Sequence, residues 1–373
     1  MKNNNFEVYL DFGTSKIRAG AIDKNNHIKN CFYESNYFTD YITAGTEIEK
    51  IISKLEKDTN EYLESINLMI DYPEALPVCL SLSKNLDGSK LKKEDIQFLI
   101  QDAKQQILRN HSDQHILHIV IKNYKIDNID YTFLPSDINC NLLSIDIIFI
   151  CVPKKIIDFF KSFFFKFDVS IKEIFCSSYA KSISYKKNFS SIQNISFIDI
   201  GFNKTSITHY HKNEISFFHV LPIGGNHITK DLSKILNIDL LSAEKIKLNL
   251  NKTENILIKK KISLDLVQKI IFARIEEILE LCIKPIKLYQ NLDDSYQFQM
   301  ILMGDGSKIL DNKFKEKIIF SKEIDLLEET TEDICEAALK LSEGINKQEV
   351  VIIPKKQIKE GFFEKFFHFF QPK

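Results

Sequence analysis

The chain has 373 residues, 44% of them hydrophobic and 27% charged, and a net charge of -1. That length allows two ordinary domains with a sizeable core, and the near-zero balance excludes an electrostatic case for nucleic-acid binding. Seven cysteines without a CxxC pair (Cys31, Cys79, Cys140, Cys151, Cys176, Cys282 and Cys335) sit in apolar contexts and read as reduced core residues of a cytosolic protein.

The start, MKNNNFEV, lacks a signal-peptide pattern, and no run of eighteen apolar residues follows it. Residues 9–21, YLDFGTSKIRAGA, read as a strand, a tight polar turn and a returning strand, within a hairpin over residues 7–23. Gly13 lets the backbone come close to a ligand. The amides of Gly13, Thr14 and Ser15 can point at a phosphate, with Lys16 adding charge. Asp11, at the strand end, is placed to hold Mg²⁺ through water. A hairpin of this kind also occurs with no ligand at all.

Residues 27–41 continue the sheet, and residues 46–65 form a helix with Ile48, Ile51, Ile52, Leu55 and Leu63 as its apolar stripe. Residues 66–70 are a strand, after which Pro73 and Pro77 break regular structure. A small α+β unit follows, with strands over 78–83, 115–124 and 142–152 and a helix over 92–109. Then come a Phe-rich helix over 156–167, read as core-facing, a strand over 169–175 and a helix start at 177–180.

Residues 197–210, FIDIGFNKTSITHY, repeat the first hairpin: apolar strand, Asp199, Gly201, Lys204, then the hydroxyls of Thr205 and Ser206. Two copies in this order suggest an internal duplication. Facing each other, they would clamp a Mg-nucleotide between two domains. A strand over 215–221 reaches the Gly224–Gly225 turn. Helices follow over 227–236, 242–248 and 263–289, the last carrying Leu266, Ile270, Ile271, Ile278 and Leu281. A strand over 299–303 ends in Gly304–Asp305–Gly306, and residues 331–342 form the last helix of the globular body.

The tail, QIKEGFFEKFFHFFQPK, places Ile358, Phe362, Phe363, Phe366, Phe367 and Phe370 on one helical face, with Lys359, Glu364, Lys365 and His368 mostly on the other. From Lys355 onward there are five lysines and two glutamates. This suits a helix lying in the plane of an anionic membrane. The same pattern also suits a helix docked on the protein's own core or in a partner's groove.

Two Asp-x-Gly hairpins, a Gly-Gly turn before a helix, an AExxK helix and a late strand–Gly-x-Gly turn resemble the actin–hexokinase ATPase superfamily. Within it, Asp11-Phe-Gly-Thr-Ser-Lys16, HVLPIGGNHITKDLS with AEKIK, and HILHIVIKNYKIDN resemble the FtsA family of bacterial actin-like cell-division proteins. The resemblance implies an α/β, ribonuclease H-like two-domain ATPase fold with an inserted α+β subdomain and a C-terminal amphipathic helix. By resemblance, residues 1–77 and 156–195 form the first domain core, with residues 78–155 inserted. Residues 196–226 and 299–349 form the second core. Residues 227–298 are a partner-binding subdomain, 350–356 a linker and 357–373 the membrane helix.

The resemblance also implies ATP and Mg as cofactors. Asp11 and Asp199 would face Mg-ATP, with Thr14, Ser15, Lys16, Gly201, Lys204 and Thr205 at the phosphates. Gly224 and Gly225 would form the cleft floor. Glu244 and Lys247 would approach the ribose and adenine, with Gly304, Gly306 and Ser307 behind the base. Phe202 and Asn203 replace glycines of the second phosphate loop, Asp305 sits between two glycines, and residues 175–180 supply no Glu or Gln to position a water. These departures point to a weak or absent ATPase.

The family further implies filaments of the chain with itself, FtsZ bound through its C-terminal peptide near Arg274, later division proteins on the insertion, and a peripheral place on the cytoplasmic face of the bacterial inner membrane at the division site. A small-molecule kinase and a pilus-assembly scaffold are the alternatives within the fold. His111, His115 and His118, and His209 with His211, lack the acidic or thiol companions of a metal site. Glu276–Glu277 and Glu328–Glu329 read as solvated helix faces.

Overall fold

In the computed structural model the described residues are 5–23, 30–36, 41–135, 137–248, 262–290, 299–309, 324–344, 346 and 348–350. The tail's candidate membrane residues, and all of the linker but Val350, lie outside them. The first hairpin is β1 (Phe6–Phe12) and β2 (Lys16–Asp23), continued by β3 (Cys31–Asn36). Helix α1 (Tyr41–Thr59) leads to β4 (Ser65–Ile70). The helix starts and stops earlier than its apolar stripe suggests. Asn60 adopts φ +54 and ends it, leaving Leu63 buried in the loop beyond.

The chain then builds a separate sheet: β5 (Leu76–Asn85), α2 (Lys93–Asn110), β6 (Gln114–Ile126), β7 (Ile129–Tyr131) and β8 (Leu142–Pro153), in spatial order β5-β8-β6-β7. Helix α3 (Lys154–Phe165) and β9 (Ser170–Cys176) return to the first sheet, whose order is β3-β2-β1-β4-β9. Phe160, Phe163 and Phe164 of α3 are buried, and their rings meet Phe12 at centroid distances of 5.0, 5.7 and 6.4 Å. Phe159 and Phe165 of the same helix face outward.

Helix α4 (Ser177–Lys186) leads to β10 (Asn194–Ile200), β11 (Thr205–His211) and β12 (Glu214–Leu221). Next come α5 (Gly225–Leu236), α6 (Leu240–Leu248) and α7 (Leu264–Gln290), then β13 (Gln299–Met303), β14 (Ile324–Leu326) and α8 (Thr331–Ser342). The order of this second sheet is β12-β11-β10-β13-β14. Both five-stranded sheets therefore share one plan: an antiparallel three-strand meander, then two strands added in parallel beside its first strand. The duplication expected from the hairpins extends to both whole sheets.

In α7 the buried face is Val267, Ile271, Ile275, Ile278, Leu279, Cys282 and Ile286, while Leu266 and Leu281 are exposed. Helix α8 packs across β1, β2 and β3 and against α4, and α4 touches β9 and β11, so these helices join the two sheets. Five cysteines are buried. Cys31 is half-buried, and Cys79 is exposed because strand alternation turns it to the outer face of β5.

Past α8 the chain makes a strap. Val350 N–H donates to the Ile119 carbonyl and Ile121 N–H to the Gln348 carbonyl, both at 2.8 Å, so the strap runs along β6. The Gln348 side chain accepts from Ile215 N–H of β12 at 2.8 Å and donates to the Ile121 carbonyl at 3.2 Å. Glu349 meets buried His118 Nδ1 at 2.6 Å, while Cys176 N–H donates to His118 Nε2 at 2.9 Å. That second bond fixes the tautomer with the proton on Nδ1, facing Glu349.

Candidate functional site

The two hairpins place their aspartates alike. Asp11 stands opposite Arg18 across the β1–β2 ladder, and Asp199 opposite Ser206 across β10–β11. Lys16 and Lys204 occupy matching positions, each three residues past the turn glycine. A Cβ on Gly13 would lie 2.8 Å from the Lys16 carbonyl oxygen, and one on Gly201 3.2 Å from that of Lys204. The close approach makes Gly13 needed for closure of its own turn, while at Gly201 a side chain would be tight, before any ligand is considered. Thr14 and Ser15 are half-buried at the first turn, and Thr205 is buried with its hydroxyl on the Ile223 carbonyl at 2.7 Å.

Between the hairpins lies a network of charges. The Arg18 guanidinium donates to Asp11 at 3.2 Å and, with its other arm, to Asp305 of the second sheet's turn. Lys16 lies 3.6 Å from Asp305 and 3.7 Å from Glu34. Lys204 of the second hairpin lies 3.0 Å from Asp71, which follows β4 of the first sheet, and also donates to Ser206. Asp71 in turn accepts the backbone N–H of Ser178 at 3.2 Å. Lys181 of α4 lies 2.8 Å from Asp199 and 3.1 Å from Glu329. Glu329 also accepts from Tyr185 at 3.0 Å and from Gly304 N–H at 2.7 Å. Its side chain is 5% exposed, which corrects the solvated reading for Glu329, while Glu328 is exposed.

The electrostatics follow from burial and pairing. Burial raises the pKa of Asp11 above the usual carboxylate value, with Arg18 and Lys181 pulling the other way. Burial acts against the Lys181 ammonium, yet Asp199 and Glu329 outweigh it and hold the group well above the ordinary lysine value. Burial also pushes Asp305 upward, but Arg18, Lys308 and Lys16 hold it well below the usual carboxylate range. The Asp305 carboxylate that interrupts the late glycine turn is therefore neutralised by its own neighbours.

The far wall holds the remaining candidates. Lys247 lies 2.6 Å from Glu244 and donates to the Gly225 carbonyl at 3.0 Å and to Thr229 at 2.8 Å. Burial lowers the pKa of Lys247, with Glu244 opposing. A Cβ on Gly224 would meet the Gly201 carbonyl oxygen at 2.5 Å, and one on Gly306 would meet that of Ile200 at 2.6 Å. Gly304 has φ +85, and a Cβ there would lie 2.2 Å from Asp199 Oδ1. Ser307 donates to the Gly304 carbonyl at 2.7 Å and closes this turn.

The donor set does not form a direct-ligand site for a divalent metal. Asp11 and Asp199 are 5% and 4% exposed, and each already holds a protein cation. Among the described residues no group of three or more His, Cys, Asp or Glu side chains could hold a metal ion. The half-buried turn of residues 13–16, with the Lys16 ammonium, retains the chemistry of a phosphate contact. Arg274 lies away from the cleft. Its guanidinium makes two bonds to Asp231 of α5, at 2.6 and 3.0 Å, and one to Glu277 at 2.6 Å.

Arg18, Asp71, Lys181 and Glu329 are absent from the sequence-derived site. Arg18 could have been found from hairpin register, since the Phe12–Ile17 pair that closes the turn of residues 13–16 sets Asp11 and Arg18 opposite.

A family model for the cell division protein FtsA matches residues 196–309. The cell division protein FtsA of Streptococcus pneumoniae serotype 2 is 21% identical over 67% of this chain, which spans 56% of that relative's length. FtsA of Buchnera aphidicola subsp. Acyrthosiphon pisum is 24% identical over 95% of this chain and 88% of its own length. Among solved structures, the PilM-PilN type IV pilus biogenesis complex aligns with 88% of this chain and 89% of its own, with a TM-score of 0.58 and 10% identity, a likeness of fold alone.

Proposed function

On the premise that this chain is an actin-like relative of the FtsA cell-division proteins, we propose that it is a scaffold that assembles at the cytoplasmic face of the bacterial membrane and tethers FtsZ filaments there. The observation that carries this reading is the tail. Helical spacing would put six of its apolar side chains on one face, with Glu364, Lys365 and His368 on the other, a pattern that inserts shallowly into an anionic bilayer. No helix among the described residues is long and apolar enough to cross a membrane. Attachment by one short helix is modest, and filaments of the chain would multiply it through avidity.

In this reading residues 78–155 act as the inserted subdomain that later division proteins contact. The FtsZ C-terminal peptide docks on residues 227–298, near Arg274. A nucleotide such as ATP would meet the chain at the turn of residues 13–16 and lean its base toward Glu244, Lys247, Gly304 and Gly306. Hydrolysis is not part of the proposal. Residues 175–180 give Ser178 to Asp71, and Lys181, which follows them, is held by Asp199. A small-molecule kinase would need a carboxylate open to an acceptor, and Asp11, Asp71, Asp199, Asp305 and Glu329 each face a cation.

The test is co-sedimentation with anionic liposomes of the full chain and of a truncation after Lys356. Pelleting of the full chain and its loss in the truncation are the expected results. Pelleting of neither, or equal pelleting of both, would remove the membrane tether.

A further inference from the structure

We propose that this chain closes its interdomain cleft with its own cations, so that closure requires neither a divalent metal nor a nucleotide. The contacts are reciprocal. Arg18 leaves the first hairpin and binds Asp305 on the second sheet's turn, while Lys204 leaves the second hairpin and binds Asp71 at the end of β4. The first half of the duplicated fold therefore sends Arg18, with Lys16 beside it, to Asp305 of the second half, and the second half sends Lys204 to Asp71 of the first. Lys181, on the helix between the sheets, adds a third tie by joining Asp199 to Glu329.

The arrangement suits this role. Six carboxylates, Glu34, Asp11, Asp71, Asp199, Asp305 and Glu329, face five cations, Lys16, Arg18, Lys181, Lys204 and Lys308, so the centre of the cleft is close to neutral without added ions. Arg18, Lys181 and Lys204 have side chains 11%, 6% and 4% exposed. Charges this deeply buried hold only where partnered, and opening the cleft would strand them. A divalent metal at the two aspartates would have to displace Arg18 and Lys181 rather than fill a gap. The pairing is also arranged around backbone: Glu329, on Lys181, takes the Gly304 N–H, and Asp71, on Lys204, takes the Ser178 N–H.

Hydrogen exchange on the full chain tests this, comparing protein stripped of metal by EDTA and of nucleotide by apyrase with the same protein in Mg-ATP. The expected result is equal protection in both states of residues 177–186, the helix that carries Lys181 and meets Asp71 and that lies outside the proposed nucleotide contacts. Arg18→Glu should speed exchange in residues 11–18 and 304–309 together, whereas Arg18→Lys, which keeps a cation between Asp11 and Asp305, should exchange like wild type. Mg-ATP slowing exchange manyfold in residues 177–186 of the wild-type chain would overturn the proposal, as would an Arg18→Glu chain that exchanges like wild type. Liposome binding is read separately, so failure here leaves the tether standing and failure of the tether leaves this closure standing.

Discussion

Asp11 shows how much a single neighbour changes what a residue can do. At the end of an apolar strand it has the position of a metal-binding carboxylate, yet Arg18 faces it across the ladder. Burial raises its pKa above the unfolded value, so the folded state holds the proton more readily and ionisation works against folding. That deficit is present at neutral pH and disappears as pH falls through the folded pKa toward the unfolded value of about 4. Asp11→Asn removes the ionisation while Arg18 keeps Asp305. The variant should therefore melt higher than wild type at neutral pH, with the gap shrinking on acidification; thermal melts across pH measure it. Asp11, Lys16, Asp199 and Lys204 could be named from the sequence because each sits at a fixed offset from a turn glycine. Lys181 and Glu329 could not, because they are 148 residues apart and periodicity records which face is buried, not which charges meet across it.

At the scale of elements, the turn after β13 is the most constrained point of the cleft. Gly304 combines φ +85 with a Cβ direction blocked by Asp199 and by the Ile200 carbonyl oxygen at 2.7 Å. Gly304→Ala should cost roughly 2–4 kcal/mol from backbone strain and overlap together, read as a lowered denaturation midpoint in urea. The meanders were legible because each pairs an apolar run with a polar turn, and α8 was legible to the residue because Thr330 and Asp333 form a reciprocal cap at 2.9 and 3.1 Å. β7 and β14 were not, since three residues are too few for alternation to stand out. In α4, SSYAKSISYK, every residue is buried although six of the ten are serine or lysine, and only its site between two sheets explains that.

For the molecule as a whole, the strap of residues 346–350 matters as much as the duplicated sheets. Gln348 is 7% exposed and bonds both β6 and β12. Gln348→Ala would leave the Ile215 N–H and the Ile121 carbonyl without this partner, at a cost of about 1–3 kcal/mol. Equilibrium unfolding should show that loss, with far-UV circular dichroism unchanged. The strap also decides where mechanical load enters the body. A pull on the chain beyond Val350 reaches β6 through two main-chain bonds, β12 through one side chain, and the β9–α4 junction through Glu349 and His118. Tension entering there is thus shared at once among the separate sheet and both halves of the duplicated fold, and the seam between them, rather than any one sheet, is the first structure to bear it.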